Sequence, residues 1–196
     1  MVSGFGRMSE EYLRKLAMLI HCSEWLERLS AEFYDLLSRK VSDESAASLM
    51  RVISTQSEAH ADTMVAAFRL LDLQDFLVER VDCVELTKPV GKATLDLMDT
   101  LRGATEVNAS SYKEILDKLE FLEIGIGEET YHKILQPLLR ALIETVVKVG
   151  DSYAELKLKV VSDLLDDVTR QEELHEKLIM KAYDMLSRNR GDSPRD

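Results

Sequence analysis

The strongest constraint on this chain lies in its last third, where Val161, Leu165, Val168, Glu172, His175, Ile179, Ala182 and Leu186 recur at alternating steps of four and three. That spacing puts all eight side chains on one face of an α-helix, because a turn takes about 3.6 residues. A strand would need alternation in twos, which this segment lacks. A helix gains most of its stability by burying such a stripe, so the rest of the chain must supply partners for it. Only eight glycines and three prolines punctuate the 196 residues. With long runs rich in Leu, Glu, Lys and Ala, the expectation is an all-α protein.

The same periodicity predicts three more long helices. The first runs from about Ser9 to Lys40, with Leu13, Leu16, Ile20, Ser23, Glu27, Ser30, Tyr34, Leu37 and Val41 facing inward. Ser42 or Asp43 then caps a second helix reaching Leu71, whose stripe is Leu49, Ile53, Gln56 with Ser57, His60, Met64, Ala67 and Leu71. From Asp72 to Asn108 the pattern is less regular, with a break at Lys88-Pro89-Val90-Gly91 and a short helix from Lys92 to Leu101. A third long helix is capped by Asn108 or Ser110 and carries Ile115, Leu119, Leu122, Ile124, Glu128, Tyr131, Leu135, Leu138, Leu142 and Val146, with a kink expected at Pro137. Gly150-Asp151-Ser152 stops it and starts the fourth, from about Tyr153 to Arg188. Two antiparallel hairpins joined by a long crossover describe a four-helix bundle. Residues 1–190 are expected to form one domain, and 191–196 a disordered tail.

Charge and cysteine usage narrow the function classes. A formal net charge of −11 and no basic patch argue against a nucleic-acid partner. No apolar run approaches the roughly 18–20 residues of a membrane span, and Met1 to Arg7 contain no signal-peptide core, so no membrane partner and a cytoplasmic location are expected. Cys22 and Cys83 form no Cys-x-x-Cys pair, which excludes a zinc ribbon or a rubredoxin-type iron site. No disulfide is expected of them, and Cys22 reads as a small buried hydrophobe.

Glu172 and His175 occupy two consecutive places on an apolar stripe, and an unpaired buried carboxylate costs several kcal/mol. A shared metal ion is the commonest compensation. Glu27 and Ser57 stand equally far from the turn at Ser42, with His60 one turn beyond Ser57. Glu128 and Glu172 stand equally far from Gly150. Glu27, His60, Glu128, Glu172 and His175 are therefore inward polar groups brought to matched depths, with His132, Gln56 and Glu24 nearby. Tyr34 and Tyr131 read as core fillers, Trp25 and Met18 as packing or interface residues.

These positions resemble the ferritin-like di-iron carboxylate proteins, the rubrerythrin-type branch in particular, whose bundle carries a Glu on each of two helices and a Glu-x-x-His on each of the other two. Glu27 matches the first-helix Glu, His60 the second-helix His, Glu128 the third-helix Glu, and Glu172 with His175 the fourth-helix pair. Ser57 stands where the remaining Glu belongs, and Glu58 points about 200° away from His60. The resemblance implies ferritin-like connectivity, iron as a di-iron or single-ion site with manganese or zinc as alternatives, and a homo-oligomer. It also implies an oxidoreductase or iron-handling function: reaction with dioxygen or peroxide, and an external electron donor for any peroxidase activity. The loss at Ser57 leaves a different class open, a metal-free, non-catalytic helical scaffold or interaction protein. No catalytic residue is assigned.

Overall fold

A computed structural model describes residues 10–77, 80–124 and 133–188, and the chain is all-α. The helices are α1 (Glu10–Lys40), α2 (Glu44–Leu70), α3 (Cys83–Leu86), α4 (Val90–Gly103), α5 (Ala109–Ile124), α6 (Gln136–Val149) and α7 (Ser152–Arg188), with a 3-10 turn at Leu73–Phe76. α2 packs along α1 on one side and against α7 on the other, α5 and α6 pack on α7, and α4 lies on α1. α2 is thus the middle of the layer that will matter chemically.

The helix ends follow from local chemistry. Asp43 caps α2 by accepting from the Ala46 N–H at 2.8 Å, and Asn108 caps α5 by accepting from the N–H groups of Ser110 at 2.9 Å and Ser111 at 3.3 Å. α6 ends on Gly150 at φ 77°, a left-handed conformation that only glycine adopts without strain. Asp151 immediately starts α7 by accepting from Ala154 N–H at 3.0 Å. The crossover is stitched to the α1–α2 turn where Val107 N–H donates to the Lys40 carbonyl at 2.7 Å and Ser42 N–H to that of Val107 at 3.1 Å. Inside, the Tyr112 hydroxyl on α5 donates to the Ile179 carbonyl of α7 at 3.1 Å.

All eight stripe residues of α7 are buried, as are the eight of α1 and Val41 just beyond its end. Three expectations change. Cys22 and Cys83 form a disulfide, with Cα atoms 5.1 Å apart, because the crossover returns along α1 and brings residue 83 opposite residue 22. Sequence separation conceals that meeting. The third long helix is described as α5 and α6, with residues 125–132 outside the described residues. Pro137 sits in the first turn of α6, where its missing N–H is tolerated, after a wider π-helical turn at residues 133–135. Finally, the break at Lys88–Gly91 contains a cis Lys88–Pro89 bond and is followed at once by α4, so Gly91 lies in the helix rather than before it. The expected tail, 191–196, lies outside the described residues.

Gly91 is required by close approach. A Cβ there would collide with Thr87 Oγ1 and come within 2.9 Å of the Trp25 ring, whereas a Cβ at Gly103 would meet nothing within 4 Å. Gly91→Ala should therefore destabilise the chain by about 1–3 kcal/mol through overpacking. Gly103→Ala in the same helix should stabilise it by about 0.4–1 kcal/mol. Urea unfolding of the two variants beside the parent chain checks the opposite signs.

Candidate metal centre

Three helices bring four of the expected ligands together. α1 supplies Glu27, α2 supplies His60, and α7 supplies Glu172 and His175, each at most 4% exposed. Glu172 Oε1 lies between the two imidazoles, 2.8 Å from His60 Nδ1 and 3.4 Å from His175 Nδ1. Glu27 Oε2 approaches His60 Nδ1 from the α1 side at 3.6 Å. The rings are nearly stacked, with centroids 5.5 Å apart and planes 25° apart. Ligand atoms from Glu27, His60 and Glu172 all fall within 4.8 Å of one another.

The outer nitrogens are held reciprocally. His60 Nε2 meets Gln171 Oε1 of α7 at 3.0 Å, and His175 Nε2 meets Gln56 Oε1 of α2 at 3.0 Å. Residue 56 pairs with 175 and 60 with 171, so α2 and α7 run antiparallel here. A carboxamide oxygen accepts from Nε2–H, which in a neutral imidazole leaves Nδ1 as the lone-pair nitrogen. Both lone pairs then face Glu172. Outer-nitrogen hydrogen bonds of this kind fix the tautomer and ring orientation of metal-binding histidines.

At 2.8 Å, His60 Nδ1 and Glu172 Oε1 are close enough for a hydrogen bond but lack its alignment, and neither atom has another hydrogen-bond partner. Buried acceptors left facing each other without a donor cost about 1–3 kcal/mol. The cost disappears if both lone pairs are directed at a third, cationic centre. With both imidazoles neutral, Glu27 and Glu172 contribute a charge of −2, which one divalent cation neutralises. An imidazole and carboxylate set suits iron, manganese or zinc.

Without a metal the site compensates itself with a proton. Burial disfavours a charged His60, but the Glu172 and Glu27 carboxylates outweigh it and push its pKa up to about 10. Burial likewise favours the protonated form of Glu172, yet His175 and His60 hold it well below the usual carboxylate range.

The remaining candidates fall elsewhere. Glu128, His132 and Tyr131 lie outside the described residues. Glu24 is ion-paired with Arg28 at 3.0 Å, Glu58 is exposed, and Gln56 orients His175 rather than replacing a carboxylate. Ser57 is buried one turn before His60, so the α2 side carries a hydroxyl where α7 carries Glu172. Tyr34 is core, edge-on to Phe33 with centroids 5.0 Å apart. The role of Gln171 was not foreseen, although the repeated Gln-x-x-x-His of α2 and α7 carried the signal. Comparison with family models, curated proteins and solved structures finds no match, so the site's chemistry alone must carry the functional reading.

The two shifts set the pH profile of the metal-free chain. The raised His60 pKa stabilises the fold fully below its ordinary 6.5, and that contribution is lost as pH climbs towards about 10. The depressed Glu172 pKa stabilises it above the ordinary 4.5, and that contribution is lost as pH falls below it. Stability in chelator should therefore peak between these ordinary values, then fall by up to about 1.4 kcal/mol per pH unit on the alkaline side. Urea midpoints from pH 4 to 10 should lose most of that alkaline slope in His60→Gln.

Proposed function

We propose that this chain is a ferritin-like metal-binding protein that holds one divalent ion, iron foremost and manganese or zinc as alternatives, between Glu27, His60, Glu172 and His175. The helices would form a four-helix bundle of ferritin-like connectivity, with α1 and α2 as one hairpin, α5–α6 and α7 as the other, and α4 in the crossover. The observation that carries the reading is the close but misaligned approach of His60 Nδ1 and Glu172 Oε1, backed by the reciprocal glutamines. It supports a site shaped for a common cation better than one shaped for a direct hydrogen bond.

Each residue then has a role. Glu172 Oε1 would be shared between the two imidazoles' side of the site, Glu27 would close it from α1, and Gln56 and Gln171 would keep both Nδ1 atoms turned inward. Bound iron would supply one-electron exchange with dioxygen or peroxide, which makes a rubrerythrin-like oxidase or peroxidase, or simple iron handling, the activities to test. The surrounding apolar residues exclude water from the carboxylates and so strengthen their hold on a cation. A homo-oligomer is part of the same proposal.

A second reading, a metal-free helical scaffold, is favoured by one observation: a protonated His60 already compensates the carboxylates that flank it. The two readings separate on loading. Anaerobic titration with ferrous iron should give one equivalent per chain and stabilise the fold by about 2.7 kcal/mol at a free metal concentration of 100 Kd. Glu172→Ala with His175→Ala should abolish both effects. Failure of iron, manganese and zinc alike to bind the folded parent chain would establish the scaffold instead. An absorbance change on adding oxygen or peroxide would mark redox activity, and its absence iron handling alone.

Two finer outcomes follow from the geometry. Gln171→Leu frees the outer nitrogen of His60 and should weaken metal binding about 10–100-fold while the helical content stays unchanged. Because His60 must lose its proton to bind, affinity should rise about tenfold per pH unit between pH 7 and 9. Calorimetry across that range, in buffers of different ionisation enthalpy, counts the proton released.

A further inference from the structure

We propose that the Cys22–Cys83 disulfide is an exchange site for a small, carboxylate-bearing thiol, attacked at Cys83. The two sulfurs are not equivalent. Cys22 sits on α1 and is 1% exposed, whereas Cys83, 8% exposed, lines a cavity of about 530 Å³ together with His21, Trp25, Arg80 and Asp82. Exchange requires a thiolate to reach one sulfur directly, so access selects Cys83 and makes Cys22 the leaving group. A cavity of this volume falls within the range of about 300–1,000 Å³ that takes small molecules.

The lining also sets the kind of thiol. On a chain of net charge −11, this cavity gathers a histidine and an arginine, groups that draw in carboxylates and favour thiolates. Asp82 lines the same cavity, with its carboxylate turned to accept from the Glu85 backbone N–H at 3.1 Å. Trp25 offers an apolar wall for the carbon skeleton of the ligand.

A purely structural clasp would need no cavity at its sulfur, and the crossover has other anchors. α4 packs on α1 with Gly91 against Trp25, and Val107 and Lys40 tie the far end of the crossover to the α1–α2 turn. Opening the S–S bond therefore leaves the crossover seated. In the first step a thiolate attacks Cys83 Sγ, the Cys22–Cys83 bond breaks, and Cys22 leaves as a thiolate that takes up a proton. In the second, another thiolate attacks the ligand sulfur of the mixed disulfide and releases Cys83. Two thiols become one disulfide, and the protein pair gains two electrons and two protons.

Glutathione is the probe. Reduced glutathione added to the folded full-length chain, quenched with acid and mapped by peptide mass spectrometry, should give a mixed disulfide at Cys83 and not at Cys22. With oxidised glutathione, Cys22→Ser should capture the tripeptide at Cys83, while Cys83→Ser, with its remaining thiol buried, should not react. Replacing both groups, His21→Leu with Arg80→Ser, should slow capture of glutathione about tenfold and leave the uncharged 2-mercaptoethanol unaffected. Circular dichroism confirms that each variant is folded. Reduction that occurs only at urea concentrations that unfold the chain, or equal labelling of both sulfurs, would overturn the proposal. The metal ligands are untouched throughout, so the outcome is independent of the reading above.

Discussion

The contact on which most else depends is the Glu172 carboxylate lodged between two imidazoles at the α2–α7 interface. A carboxylate at this depth is tolerable only with close partners, and breaking a buried pair costs about 3–5 kcal/mol. That penalty disciplines the packing. His60 must come from α2 at the level where α7 presents Glu172, so the axial register of the two helices is set by charge as well as by apolar fit. Apolar stripes alone would tolerate a slide of one turn far better, because Leu and Ile surfaces are more interchangeable than a carboxylate and its partner.

The two glutamines extend that register across four residues on each helix. Gln56 reaches His175 and Gln171 reaches His60, so a shift of one helix past the other would break two hydrogen bonds as well as the ion pair. Their symmetry contrasts with the asymmetry of the acids. α7 contributes a glutamate one turn before its histidine, whereas α2 contributes Ser57. The hydrogen bonds that orient the two imidazoles are thus paired across α2 and α7, whereas of these two helices only α7 supplies a carboxylate.

Legibility followed periodicity. The stripe from Val161 to Leu186 predicted every buried position of that segment because a helix face is a local property of spacing. Glu27 and His60 were reachable by counting from the α1–α2 turn, since a hairpin with a three-residue connection leaves little freedom in depth. The disulfide was not legible. Cys22 and Cys83 stand 61 residues apart, and their meeting depends on the path of the crossover, whose apolar pattern is too irregular to fix a direction. Gln171 failed for a different reason: a half-buried glutamine beside two glutamates looks like a solvated face until its partner on another helix is known.

The serine at position 57 is consistent with this balance of charge. In the metal-free fold, Glu27 and Glu172 flank His60, whose raised pKa keeps it protonated and offsets part of their charge. A third carboxylate at position 57 would add negative charge to the same buried cluster, at a penalty of several kcal/mol. A chain of ordinary stability, about 5–15 kcal/mol, would spend much of its margin on that one group. With Ser57 the metal-free fold is compensated by the His60 proton, and on the proposed reading a divalent cation would take that proton's place. On the proposed reading, a serine at position 57 would let the chain fold first and take up a cation afterwards.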